Sequence, residues 1–104
     1  MTLDKLKEPY RSLMEKLVKL LQARLGDRLI SVVVYGNVAR DTARKDSDID
    51  LLVVAEGLPK SRMKRQQMFL EVEEGLNTII EELWSRGVYV DFSPIILTPR
   101  RRLR

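Results

Sequence analysis

The chain has 104 residues, 44% of them hydrophobic and 33% charged, which is typical of one globular domain. It contains no cysteine and no histidine, so disulfides, zinc sites built on these residues, and thiol or imidazole catalysis are excluded. The net charge is +4, but four of the 19 basic residues lie at positions 100–104, and the remaining 15 balance the 15 acidic residues. This neutral body does not support a general nucleic-acid-binding surface.

The two ends of the chain carry few signals. No apolar stretch approaches the roughly 20 residues that span a bilayer, and the N-terminus lacks a signal-peptide pattern. We therefore expect a cytoplasmic protein with no membrane contact. Residues 1–99 are predicted to form one domain, and the basic run 100–104 a tail that is either solvated or bound to a partner or nucleic acid.

The first half of the chain predicts helix, strand and short helix. Apolar residues recur every three or four positions over Tyr10–Leu25, which predicts an amphipathic helix that packs on the core, with a dimerisation seam as the alternative. A homo-oligomer therefore stays open. The β-branched stretch Leu29–Tyr35 predicts a buried strand that ends at Gly36, and a short helix is expected over residues 37–43.

The second half predicts strand, long helix and strand. A second strand is expected over residues 48–54, which are apolar apart from two aspartates. A long helix is expected over residues 61–84, where apolar residues recur with helical periodicity. The inner face of that helix is predicted to carry Phe69, Val72, Leu76, Ile79, Ile80 and Leu83. A third strand is expected over residues 88–97, where Pro94 indicates a sheet edge or bulge. The order predicts an α+β fold, α-β-α-β-α-β, with a small mixed sheet of three main strands flanked by helices.

Three aspartates are candidate metal ligands. Asp48 and Asp50 are two residues apart on a predicted strand, so their side chains share one face. Such a pair is unfavourable unless a cation lies between the carboxylates or one of them is protonated. Asp91 is predicted to lie within an apolar strand, where a carboxylate also needs compensation. If the third strand lies beside the second, the three form an oxygen ligand set suited to Mg²⁺.

The turn at Gly36 and Asn37 is a candidate phosphate site. Glycine allows backbone N–H groups to approach a ligand closely, and the start of the following helix favours anions. Arg40 lies within the same short helix. It is expected either to bind phosphate or to pair with a neighbouring acid such as Asp41 or Asp46.

These features together resemble a known family. Gly36, the sequence Ser-Asp-Ile-Asp-Leu at residues 47–51, and the distal Asp91 are similar to the pattern of the minimal nucleotidyltransferases of the polymerase-beta superfamily. The resemblance implies transfer of a nucleoside monophosphate from an NTP, with ATP expected, to an acceptor hydroxyl. It also implies two bound Mg²⁺ ions and a helical HEPN-type protein partner, as in a toxin–antitoxin pair.

The resemblance also assigns roles to particular residues. Asp48, Asp50 and Asp91 are implied to be catalytic metal ligands, with Asp91 helping to deprotonate the acceptor hydroxyl. The implied nucleotide-binding residues are Gly36, Asn37, Arg40 and Ser47. Two positions depart from the family pattern, because Asn37 replaces a serine and Asp41 a glycine. The alternative is therefore a weak or inactive module of the same fold that acts by complex formation.

Other charged and aromatic residues carry weaker expectations. Basic side chains cluster at the start of the long helix, at Lys60, Arg62, Lys64 and Arg65. This is the reverse of what the helix dipole favours, and it predicts a solvated face or, alternatively, a docking site for an anionic partner. Trp84 and Phe92 are expected in the core, with base-stacking platforms as the alternative.

Overall fold

The computed structural model describes residues 3–40 and 48–99. The helices are α1 (Tyr10–Leu25), α2 (Gly36–Ala39), α3 (Arg62–Glu73) and α4 (Asn77–Ser85), and the strands are β1 (Leu29–Tyr35), β2 (Asp48–Ala55) and β3 (Asp91–Leu97). Short 3₁₀ turns lie at Leu3–Lys5, Gly26–Arg28 and Glu74–Leu76. Among the helices of these two described segments, none combines the length and apolar composition needed to cross a lipid bilayer.

The strands form one mixed sheet in the order β1-β2-β3. β1 is antiparallel to β2, whereas β2 and β3 are parallel and joined by the α3–α4 crossover. The predicted α+β fold with a small mixed sheet is therefore confirmed. Parallel β2 and β3 begin at the same edge of the sheet, which is also where β1 ends.

The helices cover one face of the sheet. Burial alternates along β2, where Ile49, Leu51 and Val53 are fully buried while the residues between them are not. These side chains join one hydrophobic cluster with the inner faces of the helices, among them Leu13, Leu17, Leu21, Phe69, Leu76 and Leu83. The opposite face of the sheet, which carries Asp48 and Asp50, is less buried.

The predicted long helix is interrupted. The 3₁₀ turn Glu74–Leu76 separates α3 from α4, so the expectation of one helix over residues 61–84 was wrong. The interruption contains Gly75, where an added Cβ would lie 2.8 Å from Leu20 Cδ1. Leu20 of α1 therefore lies close to Gly75, and a side chain at position 75 would require the Leu20 side chain to shift. Sequence periodicity does not report such a contact.

Two other predicted boundaries differ. The third strand begins at Asp91 rather than at residue 88, because its ladder with β2 starts where Asp91 pairs with Asp48. Asp91 is consequently an exposed residue at the start of the strand and not the mid-strand acid that was predicted. The short helix ends at Ala39, and the remainder of the predicted segment 37–43 lies largely outside the described residues.

β3 is one of the two outer strands of the described sheet, which agrees with the sheet edge that Pro94 indicated as one of two possibilities. Its outward carbonyl groups are hydrogen bonded by side chains of α3. Arg65 Nη1 donates to the carbonyl of Ile96 at 3.2 Å, and Gln66 Nε2 donates to that of Pro94 at 3.4 Å. Part of the basic cluster at the start of α3 is therefore structural, since Arg65 protects an exposed strand edge.

The two aromatic residues expected in the core behave differently. Phe92 is buried and contacts Phe69 edge to face, with ring centroids 6.0 Å apart. Trp84 is 51% exposed, so the prediction of a core position was wrong. Its indole N–H donates to the carbonyl of Val90 at 3.3 Å, which holds the ring at the surface.

Glu8 stabilises the start of α1 in a pH-dependent way. Its carboxylate accepts hydrogen bonds from the Ser12 hydroxyl at 2.7 Å, the Ser12 N–H at 3.0 Å and Arg11 Nη2 at 3.2 Å. The Ser12 hydroxyl, followed by the Ser12 N–H and the Arg11 guanidinium, holds the pKa of Glu8 below its usual value. Stability from this group is present above the unfolded pKa and is lost as pH falls through the folded pKa.

We therefore expect Glu8→Gln to lower the melting temperature more at pH 7 than at pH 3, where part of the stabilisation by the carboxylate is lost. Thermal unfolding followed by circular dichroism at both pH values measures the difference. Glu15→Gln, at an exposed position of the same helix, is the matched control. A loss of equal size at both pH values would contradict the assigned role of the carboxylate.

Candidate active site

The strand register brings the three predicted aspartates to the end of the sheet where β2 and β3 begin. We call this end of the sheet the carboxylate edge. Asp48 is the direct neighbour of Asp91 across the parallel β2–β3 ladder. Asp50 lies two residues further along β2, between Tyr35 of β1 and Ser93 of β3. Because paired residues and residues two apart belong to the same face, the register assigns all three aspartates to the face opposite the helices. At the start of β3, however, Asp91 also lines a groove together with Glu73 of α3 and Glu81 of α4.

Gly36 forms the β1 side of this edge. It follows β1 directly and has a φ of 75°, a conformation that favours glycine. An added Cβ at this position would collide with Asp50 Oδ2 and lie 3.2 Å from Asp50 Cγ. The Asp50 carboxylate therefore occupies the space that a side chain at position 36 would fill. The predicted glycine turn and the predicted acid are in contact.

The carboxylates of the three aspartates do not meet at one point, although their backbone positions are adjacent. Asp91 Oδ1 accepts a hydrogen bond from the N–H of Phe92 at 2.8 Å. Within residues 3–40 and 48–99, no three carboxylates are placed so that they could hold one metal ion. The backbone thus brings Asp48, Asp50 and Asp91 to one edge, while their carboxylates are not grouped around a common point.

The donor set fits a hard divalent cation. Like charges directly opposite each other on neighbouring strands repel, and Asp48 and Asp91 are such a pair. The ion pairs formed by lysine and arginine in the described part of the chain involve none of the three aspartates. Carboxylate oxygens are the ligands that Mg²⁺ prefers, so these residues are chemically suited to hold it.

The predicted phosphate-binding residues lie beside the aspartates. Gly36, Asn37 and Arg40 share the single turn of α2 and the residue after it. Arg40 Nη2 donates to Asn37 Oδ1 at 3.1 Å, and both side chains are exposed. Ser47, predicted for the same site, and the alternative Arg40 partners Asp41 and Asp46 lie outside the described residues.

Sequence reasoning missed Glu73, a fourth carboxylate near this edge. It lies at the end of α3 and is half-buried. Burial raises the pKa of Glu73, and the negative charge of Asp91 raises it further. A weak signal was available, since Glu73, Asn77 and Glu81 follow one another at the four-residue spacing of a single helical stripe. Only the position of β3 shows that this stripe faces Asp91.

The fold and the arrangement of aspartates at this edge define a class of protein. An α+β domain that presents aspartates next to a glycine turn is suited to metal-assisted phosphoryl transfer. The nucleotidyltransferase domain family matches residues 14–104, which is most of the chain. The chain therefore belongs to the nucleotidyltransferase domain family, in agreement with the minimal nucleotidyltransferase expected from its motifs.

One similar protein gives a more specific indication. A protein of Methanocaldococcus jannaschii, provisionally named a protein adenylyltransferase, is 33% identical over 89 residues. The matched region covers 86% of this chain and 55% of that relative, so the chain spans about half of the relative's length. No solved structure gives a significant match to the chain.

Proposed function

We propose that the protein is a Mg²⁺-dependent nucleotidyltransferase that moves AMP from ATP to a hydroxyl group of a partner protein. The observation that carries the proposal is the register of the sheet, which pairs Asp48 with Asp91 and places Asp50 against Gly36. Family membership supports nucleotidyl transfer in general. The name of the similar archaeal protein supports a protein as the acceptor and adenylate as the transferred group.

Each group at the edge has a role in this reaction. Asp48, Asp50 and Asp91 would hold Mg²⁺, and the bound metal would supply positive charge to neutralise the triphosphate and the leaving group. Gly36, Asn37, Arg40 and Ser47 bind the phosphates. In this proposal the carboxylates bind the metal, and the glycine turn with its neighbouring side chains binds the triphosphate.

The chemical step needs no covalent enzyme intermediate. The acceptor oxygen forms a bond to the α-phosphorus, the bond from that phosphorus to the bridging oxygen breaks, and pyrophosphate leaves with the electron pair. The hydroxyl proton passes to a carboxylate oxygen of Asp91. Positioning and charge neutralisation supply most of the acceleration in such reactions.

The partner in this proposal is a helical HEPN-type protein, and the pair acts as toxin and antitoxin. This part rests on the family resemblance of the motifs at Gly36, residues 47–51 and Asp91.

The second candidate function is a binding module that neutralises its partner without catalysis. One structural observation favours it, namely the hydrogen bond that the Arg40 guanidinium makes with Asn37, the residue that replaces the family's serine. In this arrangement two of the expected phosphate-binding groups bind each other. The module would then retain the fold and the partner-binding surface and lack phosphoryl transfer.

Labelling of the partner distinguishes the two functions. The protein is incubated with α-labelled ATP, Mg²⁺ and the candidate helical partner, and label on the partner is measured. We expect labelling by the wild type and its loss in Asp48→Ala, because the variant lacks one of the two facing carboxylates. Removal of Mg²⁺ by EDTA should abolish labelling in the same way.

Asp27→Ala is the matched control, because Asp27 is an exposed acid in the turn that precedes β1, at the other end of that strand. It should label the partner as the wild type does. Equal labelling by wild type and Asp48→Ala would defeat the transferase. A stable complex that is never labelled would support the binding module.

A further inference from the structure

The two sides of the carboxylate edge are different. Gly36 and α2 lie on the β1 side of Asp50, whereas Asp91 lies on the β3 side of Asp48. In phosphoryl transfer the attacking and leaving oxygens are roughly in line through the phosphorus. If the triphosphate binds at the Gly36 turn, as proposed above, the acceptor hydroxyl must enter from the side of Asp91 and β3.

A groove opens on that side. It has a volume of about 360 Å³ and lies between the stripe of α3 and α4 described above and the start of β3. Its wall and floor include apolar groups, and its rim is acidic. The residues that matter for recognition are Trp84, Ile80 and Val90 among the apolar ones, and Glu73, Glu81 and Asp91 among the acids.

The aromatic wall of the groove is held in a fixed orientation. The hydrogen bond from Trp84 to Val90 links α4 to the residue immediately before Asp91. Tyr89 contacts Trp84 edge to face, with ring centroids 5.8 Å apart, and both rings are about half exposed. An oriented, exposed aromatic pair is typical of surfaces that bind a partner.

We propose that this groove binds the acceptor, and that the acceptor is a polypeptide segment in which the reacting hydroxyl residue has lysine or arginine neighbours. The proposal rests on the transferase function above and specifies the substrate class of that site. The apolar part of the segment packs on Trp84, and its basic side chains lie at Glu73 and Glu81. The hydroxyl then reaches the α-phosphorus beside Asp91.

Charge selects this occupant over a nucleic acid. Among residues 3–40 and 48–99, those that line the groove include three carboxylates and no lysine or arginine. Phosphate groups of an RNA or DNA acceptor would be repelled by these carboxylates, whereas a basic peptide is attracted. The basic cluster at the start of α3 lies at the opposite end of that helix and does not compensate for the acids here.

Trp84 provides a direct test, because it is the single tryptophan of the chain. Its fluorescence, excited at a wavelength that tyrosine does not absorb, is followed during titration with three probes. These are a serine and leucine peptide flanked by lysine, the same peptide flanked by glutamate, and a short single-stranded RNA. We expect a fluorescence change with the lysine peptide and affinity for it about tenfold higher than for the glutamate peptide.

Charge reversal at the rim supplies the matched pair of variants. Glu81→Lys should remove or reverse the preference for the lysine peptide. Glu82→Lys, on the same exposed helix but outside the groove, should leave it unchanged. Unfolding curves for both variants verify that they are folded. Equal affinity for the two peptides, no fluorescence change, or preferential binding of the RNA would each overturn the proposal.

The titration contains neither nucleotide nor metal, so its outcome is separate from that of the labelling experiment. If neither the wild type nor Asp48→Ala labels the partner, the transferase function is defeated. If labelling is normal and depends on Asp48, but the lysine and glutamate peptides bind with equal affinity, only the assignment of the acceptor surface is defeated.

Discussion

Gly36→Ala should destabilise the protein and reduce AMP transfer about 100-fold, because misplacement of a reacting group by about 1 Å has an effect of that size. The alanine must adopt a φ near 75°, and its Cβ must displace the Asp50 carboxylate. The left-handed backbone alone costs about 1–2 kcal/mol. The free energy of unfolding from urea titration and the rate of partner labelling measure the two effects.

Gly87→Ala separates backbone strain from the collision. Gly87 has a φ of 82°, but an added Cβ there would have no heavy atom within 4 Å. It should therefore show the strain cost and retain transfer activity. If the two variants lose equal stability and both remain active, the contact between Gly36 and Asp50 does not support the site.

Local sequence signals predicted the elements that depend on local chemistry. The bounds of β1 were predicted to the residue, because a β-branched run stops at a glycine that adopts a positive φ. The prediction that this strand is buried was wrong, since Val34 is its one buried residue. The start of α1 and its end at Gly26 followed from apolar spacing and glycine. The break at Gly75 was missed, because the apolar periodicity continues through residues 61–84. A glycine inside a helical pattern is nevertheless a weak local signal of a break.

In the candidate site, too, some features could be predicted from local sequence and others depend on long-range structure. Asp48 and Asp50 could be placed on one face from their spacing alone. The position of Asp91 required knowledge that β3 is parallel to β2 and in register with it, which the sequence supplied only through resemblance to a family. The groove with Glu73 and Trp84 could not be predicted, because helical periodicity placed these residues on α3 and α4 without showing which strand they face.

Whether the aspartates act as one site is decided by combining substitutions. Asp48→Asn and Asp91→Asn should each lower AMP transfer about 100- to 1000-fold, comparable to the removal of one stabilising group from a transition state. If both carboxylates hold the same ions, the double variant should be no less active than the more damaging single variant. Labelling rates for the four proteins, measured with the same partner, complete the cycle.

The stability of the same four proteins should respond in the opposite sense. In EDTA, each single substitution removes one of two facing negative charges, so the free energy of unfolding should stay equal or rise. Mg²⁺ with ATP should stabilise the wild type alone, because a ligand stabilises only the folded state that binds it. Losses of activity that multiply to roughly 10⁴- to 10⁶-fold in the double variant would mean that the two aspartates act independently. In that case, pairing across the β2–β3 ladder would not create a shared metal site.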